Sequence, residues 1–144
     1  REWRERTGRG WGMLERYRCE DAETVIVTLG SMCGTAREAV DVLREAGMAA
    51  GLLKLRLFRP LPAAELRAAL EGVRDVLVLD RNFSPGAGGV LHQELRGALY
   101  GMQGAPRVHG YLAGVGGVNV SPAKIMELAR RAASAEPAPE AAWA

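Results

Sequence analysis

The sequence predicts an α/β fold in which helices cover a largely parallel sheet. From Glu23 onward, short β-branched or leucine-rich runs alternate with stretches of helical period, which is typical of strands joined by crossover helices. The chain has 144 residues, of which 48% are apolar, and this is the size of one ordinary domain with a buried core. The alternation and the length together favour one α/β domain.

Five short runs carry the pattern of strands. Thr24 to Leu29 contains three consecutive β-branched residues, which suits a strand covered on both faces of the sheet. Gly51 to Phe58 alternates leucines with a second set that includes Lys54, so one face is expected to meet polar surroundings. The predicted strands cover residues 14–19 at an edge of the sheet, 24–29, 51–58, 76–79 and 108–112.

Helix boundaries are marked by capping residues. Thr35 and Glu38 have the spacing of a capping box, so a helix is predicted to begin at Thr35 and to end before Gly47. Ser121 followed by Pro122 predicts the start of the last helix. The helices between them are predicted from leucines one turn apart, Leu66 and Leu70 in one helix and Leu91, Leu95 and Leu99 in the next.

The chain divides into one domain with a segment at each end. Residues 23–133 are predicted to form the α/β domain, and residues 1–22 are a lead-in with a possible edge strand. Residues 134–144 are rich in alanine, proline and glutamate and have little to bury, so a disordered tail is predicted.

Charge and hydropathy exclude several classes of partner. The formal net charge is +2 with both signs intermixed, so no nucleic-acid partner is predicted. Every apolar run is far shorter than the roughly 20 residues that span a bilayer, so no membrane partner is predicted. The N-terminus lacks the pattern of a secretory signal, and a cytoplasmic location is expected.

Cysteines and histidines are too sparse to predict a metal or catalytic site. Cys19 and Cys33 are too far apart for a redox pair, and His92 and His109 have no second histidine at ligand spacing. Cys33 lies near a predicted helix N-terminus, whose dipole would lower the pKa of its thiol. Because no base is close to it in sequence, no catalytic residue and no metal ligand is predicted, and both histidines are expected to be structural or exposed.

The first candidate site is the loop after the first buried strand. In open α/β sheets such a loop lies where ligands bind, and its amides point toward that place. It lacks the glycine pattern of a dinucleotide site and the lysine of a P-loop, so it is a candidate only for an anion or for an interface, and a plain tight turn is the alternative. The candidate residues are Gly30, Ser31, Met32, Cys33, Gly34 and Thr35.

The second candidate site follows the strand at 76–79. There a polar cluster leads into glycines that open a helix, which suits a phosphate or a partner's carboxylate. The alternative is a loop whose glycines adopt positive φ and whose Asp80 and Asn82 bond local amides. The candidate residues are Asp80, Arg81, Asn82, Ser84, Gly86, Gly88 and Gly89.

A basic edge is the third candidate. Arg56 and Arg59, with Lys54, are placed to present cations at the end of the second buried strand, where a carboxylate or phosphate of another domain would bind. An ordinary solvated strand face is the alternative.

Several of these segments carry a family resemblance. The chain resembles the α subunit of pyruvate:ferredoxin oxidoreductases from about Gly8 to Arg131, within the family's transketolase C-terminal-like domain. The resemblance implies a three-layer αβα fold with a mostly parallel five-stranded sheet. The segments that carry it are GSMCGTAREAV (30–40), KLRLFRP (54–60), VLDRN (78–82), GRGWG (8–12) and AGVGG (113–117).

The resemblance also implies a function for the complete enzyme. That function is oxidative decarboxylation of pyruvate or another 2-oxoacid to the acyl-CoA, with reduction of ferredoxin. Thiamine diphosphate, magnesium and iron–sulfur clusters are expected in other domains, and none in this one. The expected partners are the thiamine-binding and ferredoxin-like subunits and, through the complete enzyme, ferredoxin and coenzyme A. The domain itself is expected to be structural and to form interfaces; a free-standing module that binds an anionic metabolite or nucleotide is the alternative.

Overall fold

The computed structural model describes residues 2–8 and 10–144. Its strands are β1 (Leu14–Tyr17), β2 (Thr24–Leu29), β3 (Ala50–Leu55), β4 (Asp75–Asp80), β5 (Phe83–Ser84), β6 (Gly88–Gly89), β7 (Arg107–Leu112) and β8 (Ala142–Trp143). Its helices are α1 (Glu2–Thr7), α2 (Met32–Glu45), α3 (Ala63–Ala69), α4 (Val90–Leu99) and α5 (Pro122–Ser134), with a short 3₁₀ turn at Val115–Gly117. No described helix is both long enough and apolar enough to cross a bilayer.

One six-stranded sheet organises the domain. Its order is β1-β3-β2-β4-β7-β8; β1 is antiparallel to β3, and every other neighbouring pair is parallel. One core packs α2 and α5 on one face of the sheet, and a second core packs α3 and α4 on the other. The predicted α/β class, with helices covering a mostly parallel sheet, is therefore confirmed.

The sheet has six strands where five were expected, because the end of the chain adds one. Ala142 and Trp143 pair in parallel with Tyr111 and Leu112 of β7, and the amide of Ala144 donates to the Leu112 carbonyl at 3.1 Å. Residues 134–144 are expected from composition to be disordered. The structure differs because the free edge of β7 offers these residues backbone hydrogen bonds, which amino-acid composition does not register.

Helix α2 begins earlier than its capping pattern predicts. Gly30, at φ +70°, turns the chain, and its carbonyl accepts from the amide of Cys33 at 3.3 Å, so the helix starts at Met32. The N-cap is Ser31, whose side chain makes no capping bond, and Thr35 lies within the first turn. The prediction of a capping box from Thr35 is wrong. Ser121, in contrast, caps α5 as predicted, its Oγ accepting from the amide of Lys124 at 3.2 Å.

Strand β3 ends at Leu55 and has no polar face. It lies between β1 and β2, under helices on both sides, and Leu52, Leu53 and Leu55 are buried while Lys54 is half-buried. The alternation that predicted a polar face over residues 51–58 thus reflects one lysine at the carboxyl end of a buried strand. Its amine lies beside Glu15 of the neighbouring strand.

Candidate functional site

The loops after β2, β4 and β7 meet at the carboxyl edge of the sheet. Strand β2 continues through α2 to β3 on one side, and β4 continues through α4 to β7 on the other, so the chain diverges between β2 and β4. Ligands of open α/β sheets bind at such a divergence. Two of the predicted candidate sites, at residues 30–35 and 80–89, border this point.

Arg81 joins the two predicted loops to a third. Its Nη1 donates to Ser31 Oγ at 3.3 Å and its Nη2 to the carbonyl of Gly114 at 3.2 Å. Gly114 follows β7 and was not among the predicted site residues. The glycine-rich run at 113–117 could have indicated a third loop at this site. The sequence does not show, however, which of these glycines faces the edge of the sheet.

Asp80 holds the start of α4. Its buried carboxylate accepts from the amides of Asn82 at 2.9 Å, Leu91 at 2.5 Å and His92 at 3.3 Å. Since the Leu91 and His92 amides are among those that a helix N-terminus would offer to an external anion, the Asp80 carboxylate occupies that position itself. Asp80 thus bonds local amides, one of them that of Asn82, as the loop alternative expects, and its carboxylate occupies the place that a phosphate at this helix start would take.

The glycines after Asn82 shape a hairpin. Phe83 and Ser84 pair with Gly89 and Gly88, and Gly86 and Gly88 adopt positive φ of +80° and +79° in the turn. At Gly89, a Cβ would lie 3.0 Å from Asp80 Oδ2, so this glycine lets the chain pass close to the capping carboxylate.

Cys33 does not have the activated thiol that its position predicts. It is buried in the first turn of α2, and burial raises the pKa of its thiol, with Lys54 only partly opposing. Burial likewise raises the pKa of Cys19, whose Sγ donates to the Leu52 carbonyl at 3.2 Å. The expected lowering of the Cys33 pKa is therefore wrong: the pKa is raised, and desolvation of the thiolate is the largest cause.

The basic edge is already neutralised in part by Glu15. Its carboxylate binds Arg37 at 2.7 Å, Lys54 at 3.7 Å and Arg56. Although partial burial raises the pKa of the Glu15 carboxyl, Arg56 and Lys54 outweigh this effect and hold the pKa below its usual range. Arg59 lies apart from this cluster and pairs with Glu94 of α4 at 2.7 Å.

Both histidines are buried structural residues between α4, β7 and β4. His109 Nε2 lies 3.4 Å from Asp75 Oδ1, and burial lowers its pKa although Asp75 partly opposes this. Burial also lowers the pKa of His92, whose Nε2 has no partner among the described atoms. The described residues contain no group of three or more histidine, cysteine or carboxylate side chains that would hold a metal.

Exposed apolar side chains lie where β4, β7 and β8 end. The rings of Phe83 and Trp143 make a tilted contact with centroids 5.3 Å apart, yet Trp143 stays 63% exposed and Phe83 45% exposed. Val118, in the loop after β7, is 68% exposed. Large exposed aromatics are typical of protein interfaces.

Comparison with known sequences identifies the family. The family described as "Pyruvate:ferredoxin oxidoreductase core domain II" matches residues 22–125. The chain is 43% identical to pyruvate synthase subunit PorA of Methanothermobacter thermautotrophicus over 136 residues, which are 94% of this chain and 34% of that protein. It is 44% identical to ketoisovalerate oxidoreductase subunit VorA of Pyrococcus abyssi over 118 residues, which are 81% of this chain and 30% of that protein.

A solved structure shares the fold. The 2-oxoglutarate:ferredoxin oxidoreductase from Magnetococcus marinus, with 2-oxoglutarate, coenzyme A and succinyl-CoA bound, superposes with a TM-score of 0.61 at 23% identity, covering 84% of this chain and 20% of that one. The chain thus spans about a third of the length of the curated relatives that it matches. Because the family match covers most of the chain, the predicted resemblance is confirmed, and the chain belongs to the pyruvate:ferredoxin oxidoreductase core domain II family.

Proposed function

We propose that this chain is the structural and interface domain of a pyruvate:ferredoxin oxidoreductase, with residues 23–133 as the domain proper. The complete enzyme would decarboxylate pyruvate, transfer the acetyl group to coenzyme A and pass the electrons to ferredoxin. The names of the relatives support this reaction, since they are subunits of pyruvate synthase and ketoisovalerate oxidoreductase. Because such relatives are subunits of larger enzymes, a free-standing anion-binding module is not favoured.

The cofactors of that reaction are assigned to other domains and subunits. Iron–sulfur clusters need several cysteine thiolates, whereas Cys19 and Cys33 are separate and buried, and burial raises the pKa of each thiol. These residues do not fit a cluster. Thiamine diphosphate with magnesium would supply the decarboxylation chemistry in a thiamine-binding subunit. The two free cysteines are compatible with a reducing cytoplasm.

The observation that carries the interface role is the exposed aromatic pair, Phe83 and Trp143. Two carboxylates at the carboxyl edge already have partners within the domain: Asp80 binds amides of the α4 start, and Glu15, on the far side of the sheet, binds Arg56 and its neighbours. Where β4 and β8 end, this edge presents apolar aromatic surface outward. Aromatic side chains contribute a large share of the energy of protein association.

Replacing the aromatic pair is expected to weaken assembly of the complete enzyme. Phe83→Ala with Trp143→Ala should reduce co-purification of the thiamine-binding subunit about tenfold, since loss of central aromatics commonly costs more than 1 kcal/mol of binding. The amounts are measured after affinity purification of tagged full-length protein under anaerobic conditions.

Tyr100 provides the matched control. It is 86% exposed at the end of α4, at the opposite edge of the sheet, so Tyr100→Ala should leave assembly unchanged. Equal recovery from the double variant and the wild type would contradict an interface at Phe83 and Trp143. So would equal losses from the double variant and Tyr100→Ala.

A further inference from the structure

We propose that the cleft beside Arg81 binds an oxyanion, either a carboxylate or a phosphate group. The cleft has a volume of ≈ 290 Å³ and lies at the divergence between β2 and β4. It is lined by the α2 start, by Arg81 and by residues 117–120. The inference goes beyond the proposed function, which needs no ligand in this domain.

Arg81 brings a positive charge to this cleft that no described carboxylate neutralises. The other predicted cations of this edge each have an acidic partner: Arg56 binds Glu15, and Arg59 binds Glu94. Within the described part of the chain, the hydrogen bonds of the Arg81 guanidinium go to two neutral oxygens, at 3.2 and 3.3 Å. A guanidinium carries five N–H donors in a planar fork that fits a carboxylate or phosphate. Three donors of an exposed guanidinium thus remain for a ligand.

The loop after β7 holds Arg81 in place over the cleft. At Gly114, which has φ +76°, a Cβ would lie 3.1 Å from Arg81 Nε, so any side chain there would crowd the guanidinium. Ser31 Oγ accepts from one terminal nitrogen of the guanidinium and the Gly114 carbonyl from the other. The guanidinium is therefore oriented before a ligand arrives, which reduces the entropy lost on binding.

The anion is assigned to this cleft because the two other positive regions at the carboxyl edge already contain a carboxylate. At the start of α4, the Asp80 carboxylate already accepts from the amides of Leu91 and His92. At Glu15, the three surrounding cations already bind one carboxylate, so each has an acidic partner although positive charge remains in excess. Of these three positive regions at the carboxyl edge, the Arg81 cleft is the one whose cation lacks an acidic partner among residues 2–8 and 10–144.

Hydrogen exchange of the complete enzyme tests this site. Amides of residues 114–120 are followed with and without inorganic phosphate, and separately with acetate. We expect slowing of at least about twofold with either anion, and no slowing in Arg81→Gln. Arg81→Lys keeps the charge and should retain part of the effect. Arg59→Gln removes a cation that already has a partner and should respond as the wild type does.

The same data distinguish the two sources of the oxyanion. If these amides are protected without added anion in the complete enzyme but not in its separated α subunit, and Arg81→Gln removes that difference, the ligand is a carboxylate of another part of the enzyme. If protection needs phosphate or acetate, the ligand is a free anion. Unchanged exchange in the wild type under all conditions together with unchanged exchange in Arg81→Gln would overturn the proposal. Protection that persists in Arg81→Gln would overturn it too.

Discussion

Gly110→Ala is expected to lower the free energy of unfolding by about 3 kcal/mol, the upper part of the range for overpacking a core. A Cβ at this position in β7 would lie 2.5 Å from Cγ of His92 and within 2.8 Å of two more ring atoms. The ring is 1% exposed between α4 and the sheet, so it has little room to move. Urea denaturation of the 144-residue chain measures the loss.

A second substitution shows whether the imidazole causes this loss. In the His92→Ala background the ring is gone, so adding Gly110→Ala should cost less than about 0.5 kcal/mol, and the double-mutant cycle should show strong coupling. A Gly110→Ala protein as stable as the wild type would contradict the close packing. An equal cost of Gly110→Ala in both backgrounds would show that the strain lies elsewhere.

Asp80→Ala is expected to lower the free energy of unfolding by about 2–3 kcal/mol. The substitution removes the acceptor of the Leu91 and His92 amides, which are buried, and loss of a helix cap alone costs about 1 kcal/mol. Leaving buried donors without an acceptor adds about 1–3 kcal/mol. Denaturation of the same chain measures the effect.

Asp80→Asn is the matched control, because its amide keeps one oxygen that can accept from the α4 start. Asp80→Asn should lower the free energy of unfolding less than Asp80→Ala does. Hydrogen exchange of the first α4 amides should also stay slower in Asp80→Asn than in Asp80→Ala. If Asp80→Ala instead unfolds at the same denaturant concentration as the wild type, Asp80 does not cap the helix.

The elements that local sequence specifies were predicted correctly. The β-branched run at Thr24–Leu29 is strand β2 with these bounds, and Ser121 with Pro122 begins α5 as expected. In both cases the decisive interactions lie within a few residues: stiff side chains favour the strand, and a hydroxyl meets an amide three residues on.

The start of α2 and the end of the chain depend on distant or backbone features. Thr35 and Glu38 have the spacing of a cap, yet the turn at Gly30 starts the helix at Met32. Trp143 joins the sheet because the β7 edge is free there, about thirty residues before it in sequence. The pairing of Trp143 is not visible in a window of neighbouring residues, and at α2 two local signals, the turn at Gly30 and the cap spacing at Thr35, favour different starts.

The sequence predicted where the candidate loops lie, but not which side chains contact one another there. The loops at 30–35 and 80–89 were expected at the carboxyl edge, and the Arg81–Ser31 bond joins them there. The sequence could not show which charged side chains would have a partner within the domain. Arg56 meets Glu15 across 41 positions of sequence, and Arg81 meets Gly114 across 33, so both contacts depend on the order of strands in the sheet.

The measurement that tests the proposed function most directly is pyruvate- and coenzyme A-dependent reduction of ferredoxin by the full-length protein, purified anaerobically with its associated subunits. We expect ferredoxin reduction that requires both substrates, in a preparation that contains thiamine diphosphate and iron–sulfur clusters. Preference for a branched-chain 2-oxoacid would change the substrate and keep the reaction class. A full-length protein that purifies alone, contains no thiamine diphosphate and reduces ferredoxin with no 2-oxoacid would contradict the account.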